Sequence, residues 1–376
     1  MQAKSERDSR FELLRIFAML LIIGSHIAEH GDGNNWNIWR QPVSGGFGTA
    51  AVLGIWGQLG VSLFVILTSW FLCDGGSFHF RKVLQIILQS YVICILLAAV
   101  IWISGAEPIS RSVLENVLLG PFSNQYWFIL TYLVFYMLTP FLRKAVTGLE
   151  DRHLRRLVLV LTVLIPVYRF FISDTGITGS LGDFCYLFLA AACLKRTRGN
   201  FLERHAVLGA LLAAAVGILS MFFLNYMGRT TGNTFWYAEM GQVVGRYPVM
   251  FCLAFCLFYI FMNHLKSFHS PAVNRIAGTV FGVYLIHENM LLRGYDAHPE
   301  SLLWDGLLHM DVWAEKPELL FALYWVLCTV LVFALCSLLE MVRKVITDDL
   351  IFGRMKWIGR FCDRFDQWYV PDNKMV

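Results

Sequence analysis

The chain has 376 residues, of which 57% are hydrophobic and only 15% charged, against about 45–50% and about 25% in an ordinary soluble domain. Those proportions exclude a soluble globular enzyme and point to an all-α, polytopic integral membrane protein whose first partner is the lipid bilayer. A formal net charge of +4 does not call for nucleic acid, because the basic residues sort by membrane side.

Residues 1–10 are polar and read as a cytoplasmic N-terminus. Ser9-Arg10-Phe11-Glu12 has the Ser-x-x-Glu spacing of a capping box and predicts the start of the first helix. The apolar run that follows, 11–30, has no small-residue cleavage site, so it reads as a retained span rather than a signal peptide. It carries Arg15 and His26. Eleven residues are about three helical turns, so both side chains fall on one face, roughly 16 Å apart along the axis. Ionisable groups inside a span are expensive, and they mark functional sites by default.

A span needs about 20 mainly apolar residues. Further candidates lie at 52–73, 83–104, 125–143, 157–173, 181–195, 206–226, 243–263, 276–292 and 319–342, ten with the first. Most of the 31 Lys and Arg residues then fall on the side of the N-terminus. Arg15, Arg169 and Arg246 lie inside spans, and only Arg40, Arg111, Arg229, Arg293 and Lys316 lie in outer segments. This bias places both termini in the cytoplasm. The expected organisation is one membrane domain over 11–343 and a basic, aromatic tail over 344–376 that lies along the inner leaflet.

The outer segments have their own character. One holds glycines with Trp36 and Trp39. The other, 293–318, is acidic, with Asp296, Glu300, Asp305, Asp311, Glu315 and Glu318. They read either as an interfacial belt with a solvated loop or as a place for a sugar acceptor. The nine cysteines form no CxxC pair, which argues against a disulfide framework or a thiolate metal site.

An imidazole both accepts and donates protons near neutral pH, so His26 is the candidate general base for a hydroxyl acceptor. The alternative is a packing histidine bonded to a neighbouring span. Arg15 keeps its charge at any ordinary pH. It either pairs with Glu12, three residues earlier, or faces a phosphate-bearing ligand, with Arg81 and Lys82 at the mouth of the third span joining it. His26-Ile27-Ala28-Glu29-His30 matches the H-x-x-E-H pattern of inverted zinc peptidases. His287-Glu288 is a possible further donor, but nothing in its spacing is metal-specific, and no metal is expected. Glu29 is instead expected to orient His26 or to pair at the outer face. Trp127, Tyr284 and His287 are polar or aromatic groups of other spans with possible supporting roles. Gly54, Gly57 and Gly60 read as close helix packing, since a phosphate loop needs a Lys-Ser/Thr ending and a preceding strand.

Several stretches together resemble one family. The first span, from Arg10-Phe11-Glu12-Leu13-Leu14-Arg15 to His26, is similar to the Arg-x10-His signature of the membrane acyltransferase-3 superfamily. Gly60-Val61-Ser62-Leu63-Phe64-Val65, Tyr126-Trp127-Phe128-Ile129 with Tyr136-Met137-Leu138-Thr139-Pro140, and Phe281-Gly282-Val283-Tyr284-Leu285-Ile286-His287 resemble its second, fourth and ninth helices in order. The resemblance implies ten spans in the cell membrane, in bacteria the inner or plasma membrane. It also implies transfer of an acyl group, commonly acetyl, from cytoplasmic acyl-CoA to a hydroxyl of a surface polysaccharide or related glycan. No cofactor would be bound, acetyl-CoA being the donor substrate; His26 would be the catalytic group and Arg15 its partner. Two positions depart from the family pattern: Lys82 follows Arg81 where two arginines often stand three apart, and Ser62 stands where Asp or Asn is common. The competing readings are a transporter using the same intramembrane Arg and His and a structural, lipid-scaffolding protein.

Overall fold

The computed structural model describes residues 8–31, 46–75, 77–105, 110–168, 179–246, 248–294, 301–349 and 356–370. All regular structure among these residues is helical. The expectations placed on Trp36, Trp39, Arg169, Asp296 and Glu300, and on the side chain of Arg246, fall outside the described residues.

The main helices are α1 (Ser9–His30), α2 (Phe47–Leu53), α3 (Gly57–Leu72), α4 (Phe80–Ser104), α5 (Arg111–Leu119), α6 (Trp127–Thr147), α7 (Asp151–Thr162) and α8 (Ser180–Arg196). They continue with α9 (Ala206–Thr231), α10 (Phe235–Arg246), α11 (Pro248–His264), α12 (Pro271–Ala277), α13 (Val280–His287), α14 (Met290–Arg293), α15 (Glu318–Arg343) and α16 (Lys356–Tyr369). Among the described residues, six stretches are long and apolar enough to cross a bilayer: Ser9–His30, Phe47–Leu72, Phe80–Ser104, Arg111–Thr147, Ala206–Thr231 and Glu318–Thr347. The other four expected spans are shorter or interrupted. The fifth passes from α7 into a π-helical turn at Val163–Val167 that contains Pro166, where proline removes a donor from the helical ladder. The eighth is built as α10 and α11.

The ninth expected span, 276–292, is three pieces rather than one rod: the end of α12, α13 and α14. Capping explains the breaks. The Thr279 hydroxyl donates to the Ile276 carbonyl at 2.7 Å, satisfying a group freed at the end of α12. Asn289 takes an extended conformation and its side chain accepts from the Leu291 amide, starting α14. The break puts His287 and Glu288 at the end of α13. α1 itself is capped by Asp8, whose side chain accepts from the Arg10 amide, and not by Ser9 as the capping-box spacing suggested. Ser9 is helical and buried, and its hydroxyl donates to Asn274 Oδ1 at 2.8 Å. The Arg10 guanidinium, hydrogen-bonded to Asp8, holds that carboxyl below its usual range.

α1 is central, packing on α3, α11, α12, α13 and α15. Glycines allow the α1–α3 approach, as their spacing suggested. A Cβ on Gly60 would stand 2.5 Å from the Ala18 carbonyl oxygen, one on Gly57 2.6 Å from Ser25 Oγ, and one on Gly54 2.7 Å from Ala28 Cβ. Gly60→Ala therefore drives a methyl into backbone that cannot rotate away, and overpacking of this kind costs about 1–3 kcal/mol, more than the roughly 1 kcal/mol gained in helix propensity. The expected result is a lower thermal midpoint in detergent for Gly60→Ala. Gly75→Ala, whose Cβ meets nothing within 4 Å, leaves the midpoint unchanged.

Outward faces of α9 and α15 carry exposed Leu211, Leu219, Phe223, Leu323, Leu327 and Val330, the apolar surface a bilayer requires. Inward, α15 buries Glu340. It accepts from Arg343 Nε at 2.7 Å and from Gln89 Nε2 at 2.9 Å, beside Gly282, where any Cβ would collide with its carboxylate. Glu318, read in sequence as part of an acidic loop, instead caps α2 from across the fold: its carboxylate accepts from the Gly48 and Thr49 amides and the Thr49 hydroxyl. From the tail, α16 folds back on α4; Phe365 stacks on Phe80 and Asp366 accepts from the Phe80 amide.

Candidate active site

A cavity of about 680 Å³ runs along the polar face of α1, and both Arg15 and His26 line it. The helical spacing of those two residues thus aims them into one space, as their periodicity predicted. Near the N-terminal end of α1 the wall includes Lys82 at the start of α4 and Lys344 after the end of α15. Arg81 is exposed and is not part of this wall; Lys344, which the sequence reading did not single out, stands there beside Lys82. Its ammonium donates to the Gly278 carbonyl at the break between α12 and α13. Arg15 is tied to Glu12 as its i−3 spacing allowed, with both Glu12 oxygens 2.8 Å from Nη1, yet its side chain keeps 33% of its exposure. The pairing and the cavity-facing reading hold together.

The other end of the cavity is built around His26. Its Nδ1 lies 2.9 Å from His287 Nε2 and 3.0 Å from Glu288 Oε2. The tautomers follow from the neighbours. His287 Nδ1 lies 2.6 Å from the Val283 carbonyl oxygen, which can only accept, so the His287 proton sits on Nδ1 and its Nε2 is an acceptor. The carboxylate of Glu288 also only accepts. His26 Nδ1 must therefore carry the ring proton, and it donates to His287. Neutral His26 is left with its lone pair on Nε2, the form a general base needs.

It is Glu288, not Glu29, that sits against His26. Glu29 is exposed and lines the cavity wall, whereas Glu288 is buried, with Oε1 3.2 Å from Arg293 Nη1 and Oε2 3.3 Å from His30 Nε2. The chain break after α13 makes this possible by turning consecutive residues, His287 and Glu288, towards α1. A latch holds the break in place. The Tyr126 hydroxyl donates to the Leu285 carbonyl and accepts from Asn289 Nδ2, each at 2.8 Å. Gln125 Oε1 accepts from the Met290 amide at 3.3 Å. An acid directly after His287 was visible in the sequence; its contact with α1, more than 250 positions away, was not.

Tyr284 and Trp127 both line the cavity. The Tyr284 hydroxyl is buried with no hydrogen-bond partner among the described residues, so it has a donor to offer a bound group. His30 Nε2 and Glu288 Oε2 are likewise buried without a hydrogen bond, and His26, His30 and Glu288 bring ligand atoms within 4.8 Å of one another.

The family model described as an acyltransferase domain matches residues 8–341 of the chain. No curated protein and no solved structure matches it.

Proposed function

The chain belongs to the membrane acyltransferase-3 superfamily and is a membrane acyltransferase; from that premise we propose that it moves an acetyl group from cytoplasmic acetyl-CoA to a hydroxyl of a cell-surface polysaccharide or related glycan. The observation that carries this reading is one cavity with cations at one end and an imidazole of fixed tautomer at the other. Lys82, Lys344 and Arg15 offer charge-assisted hydrogen bonds to the phosphates of a CoA. The long pantetheine arm then runs along α1 and brings the thioester to His26.

At that point the acceptor oxygen attacks the thioester carbonyl carbon while His26 Nε2 takes its proton. The C–S bond breaks, and the imidazolium returns the proton to the departing thiolate. Glu288, 3.0 Å from Nδ1, stabilises the positive charge that His26 acquires in between. The partnerless Tyr284 hydroxyl supplies a donor for the carbonyl oxygen as it gains charge.

Purified protein in detergent or nanodiscs, given labelled acetyl-CoA and the host's surface glycan, is expected to produce ester-linked label on the glycan with release of free CoA. A transporter would bind or move the donor and leave no acylated product. The donor site has its own test. Lys82→Ala and Lys344→Ala each remove one bond to phosphate, worth about 1.5 kcal/mol, and each is expected to raise KM for acetyl-CoA roughly tenfold with kcat unchanged. Arg81→Ala should alter neither parameter. An Arg81 effect larger than that of Lys344 would move the donor's phosphates away from the wall described above.

A further inference from the structure

His30 is buried at the end of α1 and has no part in the proton transfer described above. Its Nε2 points at Glu288 Oε2 across 3.3 Å without a hydrogen bond. His26 Nδ1 lies 3.0 Å from the same oxygen. Two nitrogens and one oxygen thus converge on a point between α1 and the end of α13. We propose that His26 Nδ1, His30 Nε2 and Glu288 Oε2 form a binding site for a divalent ion of the zinc class, and that filling it switches the acyl-transfer centre off.

The geometry suits such an ion. Zinc binds imidazole nitrogen at about 2.0–2.1 Å and carboxylate oxygen at about 2.0–2.2 Å in tetrahedral sites, which places ligand atoms about 3.3 Å apart. The two spacings involving Glu288, 3.0 and 3.3 Å, lie at or within a few tenths of an ångström of what that requires, and all three ligand atoms lie within 4.8 Å of one another. Two histidines at i and i+4 share one helix face. Three protein ligands leave a fourth position for water. Outer contacts orient the ligands, as metal sites commonly need: Arg293 holds Glu288 Oε1, leaving Oε2 for the ion. The Arg293 charge beside the site weakens binding relative to an isolated His2Glu set, and Glu29 on α1 opposes that effect. His287 Nε2 stands next to His26 Nδ1 as a further lone pair.

The inhibitory consequence rests on the reading of His26 as the base. A metal on Nδ1 uses the lone pair of that nitrogen, so the single proton of the neutral ring moves to Nε2. No net proton is gained or lost. The Nε2 lone pair that would take the acceptor's proton is gone, and the Glu288 charge is committed to the ion.

The test uses full-length protein carrying no polyhistidine tag, stripped with chelator and dialysed against zinc, or against cobalt as a spectroscopic probe. Wild type is expected to retain one ion per chain, to show the visible absorption of four-coordinate cobalt, and to lose acetyl transfer as zinc is added. His30→Gln is expected to bind zinc at least about tenfold more weakly, to turn over normally in zinc-free buffer and to resist zinc at concentrations that silence wild type. Should His30→Gln fail to accumulate, Glu288→Gln, read by metal content alone, decides the same question. Stripped wild type that takes up no metal, equal uptake by wild type and variant, or turnover that rises with zinc would each overturn the proposal. The two uptake outcomes leave the base role of His26 untouched; that role is judged separately by the activity of His26→Ala in zinc-free buffer.

Discussion

His26→Ala is expected to insert, accumulate and bind acetyl-CoA with an unchanged dissociation constant, while its acetyl transfer falls by about 10²- to 10⁴-fold, the full contribution of a positioned base. The reasoning is local. The side chain lines the cavity with only 13% of its surface exposed, so truncation removes a functional group without uncovering the α1–α3 packing surface. In the proposed arrangement the donor's phosphates lie at the other end of α1, roughly 16 Å away by helical rise. The measurements are label transfer by purified protein, donor affinity by equilibrium binding, and ester-linked acetyl on the surface polymer of cells carrying the variant. Polymer acetylated to the wild-type level would remove His26 from the chemistry. Loss of donor binding in parallel with turnover would make it a structural residue.

The parts of this site that were legible in sequence are those set by local geometry. Arg15 and His26 stand three turns apart on an apolar helix, and a 3.6-residue period alone puts them on one face. The Glu12 partner of Arg15 is local for the same reason. Gly54, Gly57 and Gly60 announced close packing because they lack the Lys-Ser/Thr ending and the preceding strand of a phosphate loop. What was not legible is what the tertiary fold decides. Glu29 was the nearer acid to His26 along the chain, but its side chain stands exposed on the cavity wall, while the buried Glu288 reaches the ring from the end of α13. Arg81 and Lys82 are neighbours in sequence, yet only Lys82 belongs to the cavity wall, and its companion there, Lys344, follows a helix that starts at Glu318. The ninth span read as continuous because most of 276–292 is apolar. Its interruption is written in Thr279 and Asn289, residues that favour caps, and in the Tyr126 hydroxyl that holds the turned chain from another helix.

Glu288→Gln is expected to keep the fold and the donor site and to lower kcat by about 10²-fold, a part of the general-base contribution, with KM for acetyl-CoA unchanged. His287 continues to accept from His26 Nδ1 in this variant, so the neutral tautomer with its lone pair on Nε2 survives and the base is still present at the start of the reaction. What disappears is the negative charge 3.0 Å from Nδ1 when the ring becomes an imidazolium. That loss falls on the transition state and not on the bound ground state, which is why kcat moves and KM does not. The substitution also leaves Arg293 facing a neutral amide where a carboxylate lay 3.2 Å away, so stability must be followed beside activity. A thermal midpoint shift without the kcat loss would assign Glu288 to the structure alone. Glu288→Asp separates the two further: it restores the charge at a greater distance and is expected to recover part of kcat, whereas a role confined to holding Arg293 predicts no recovery that tracks proximity to His26. Glu29→Gln is the matched control, since it removes a charge from the same cavity without touching Nδ1, and its kcat should stay within about twofold of wild type.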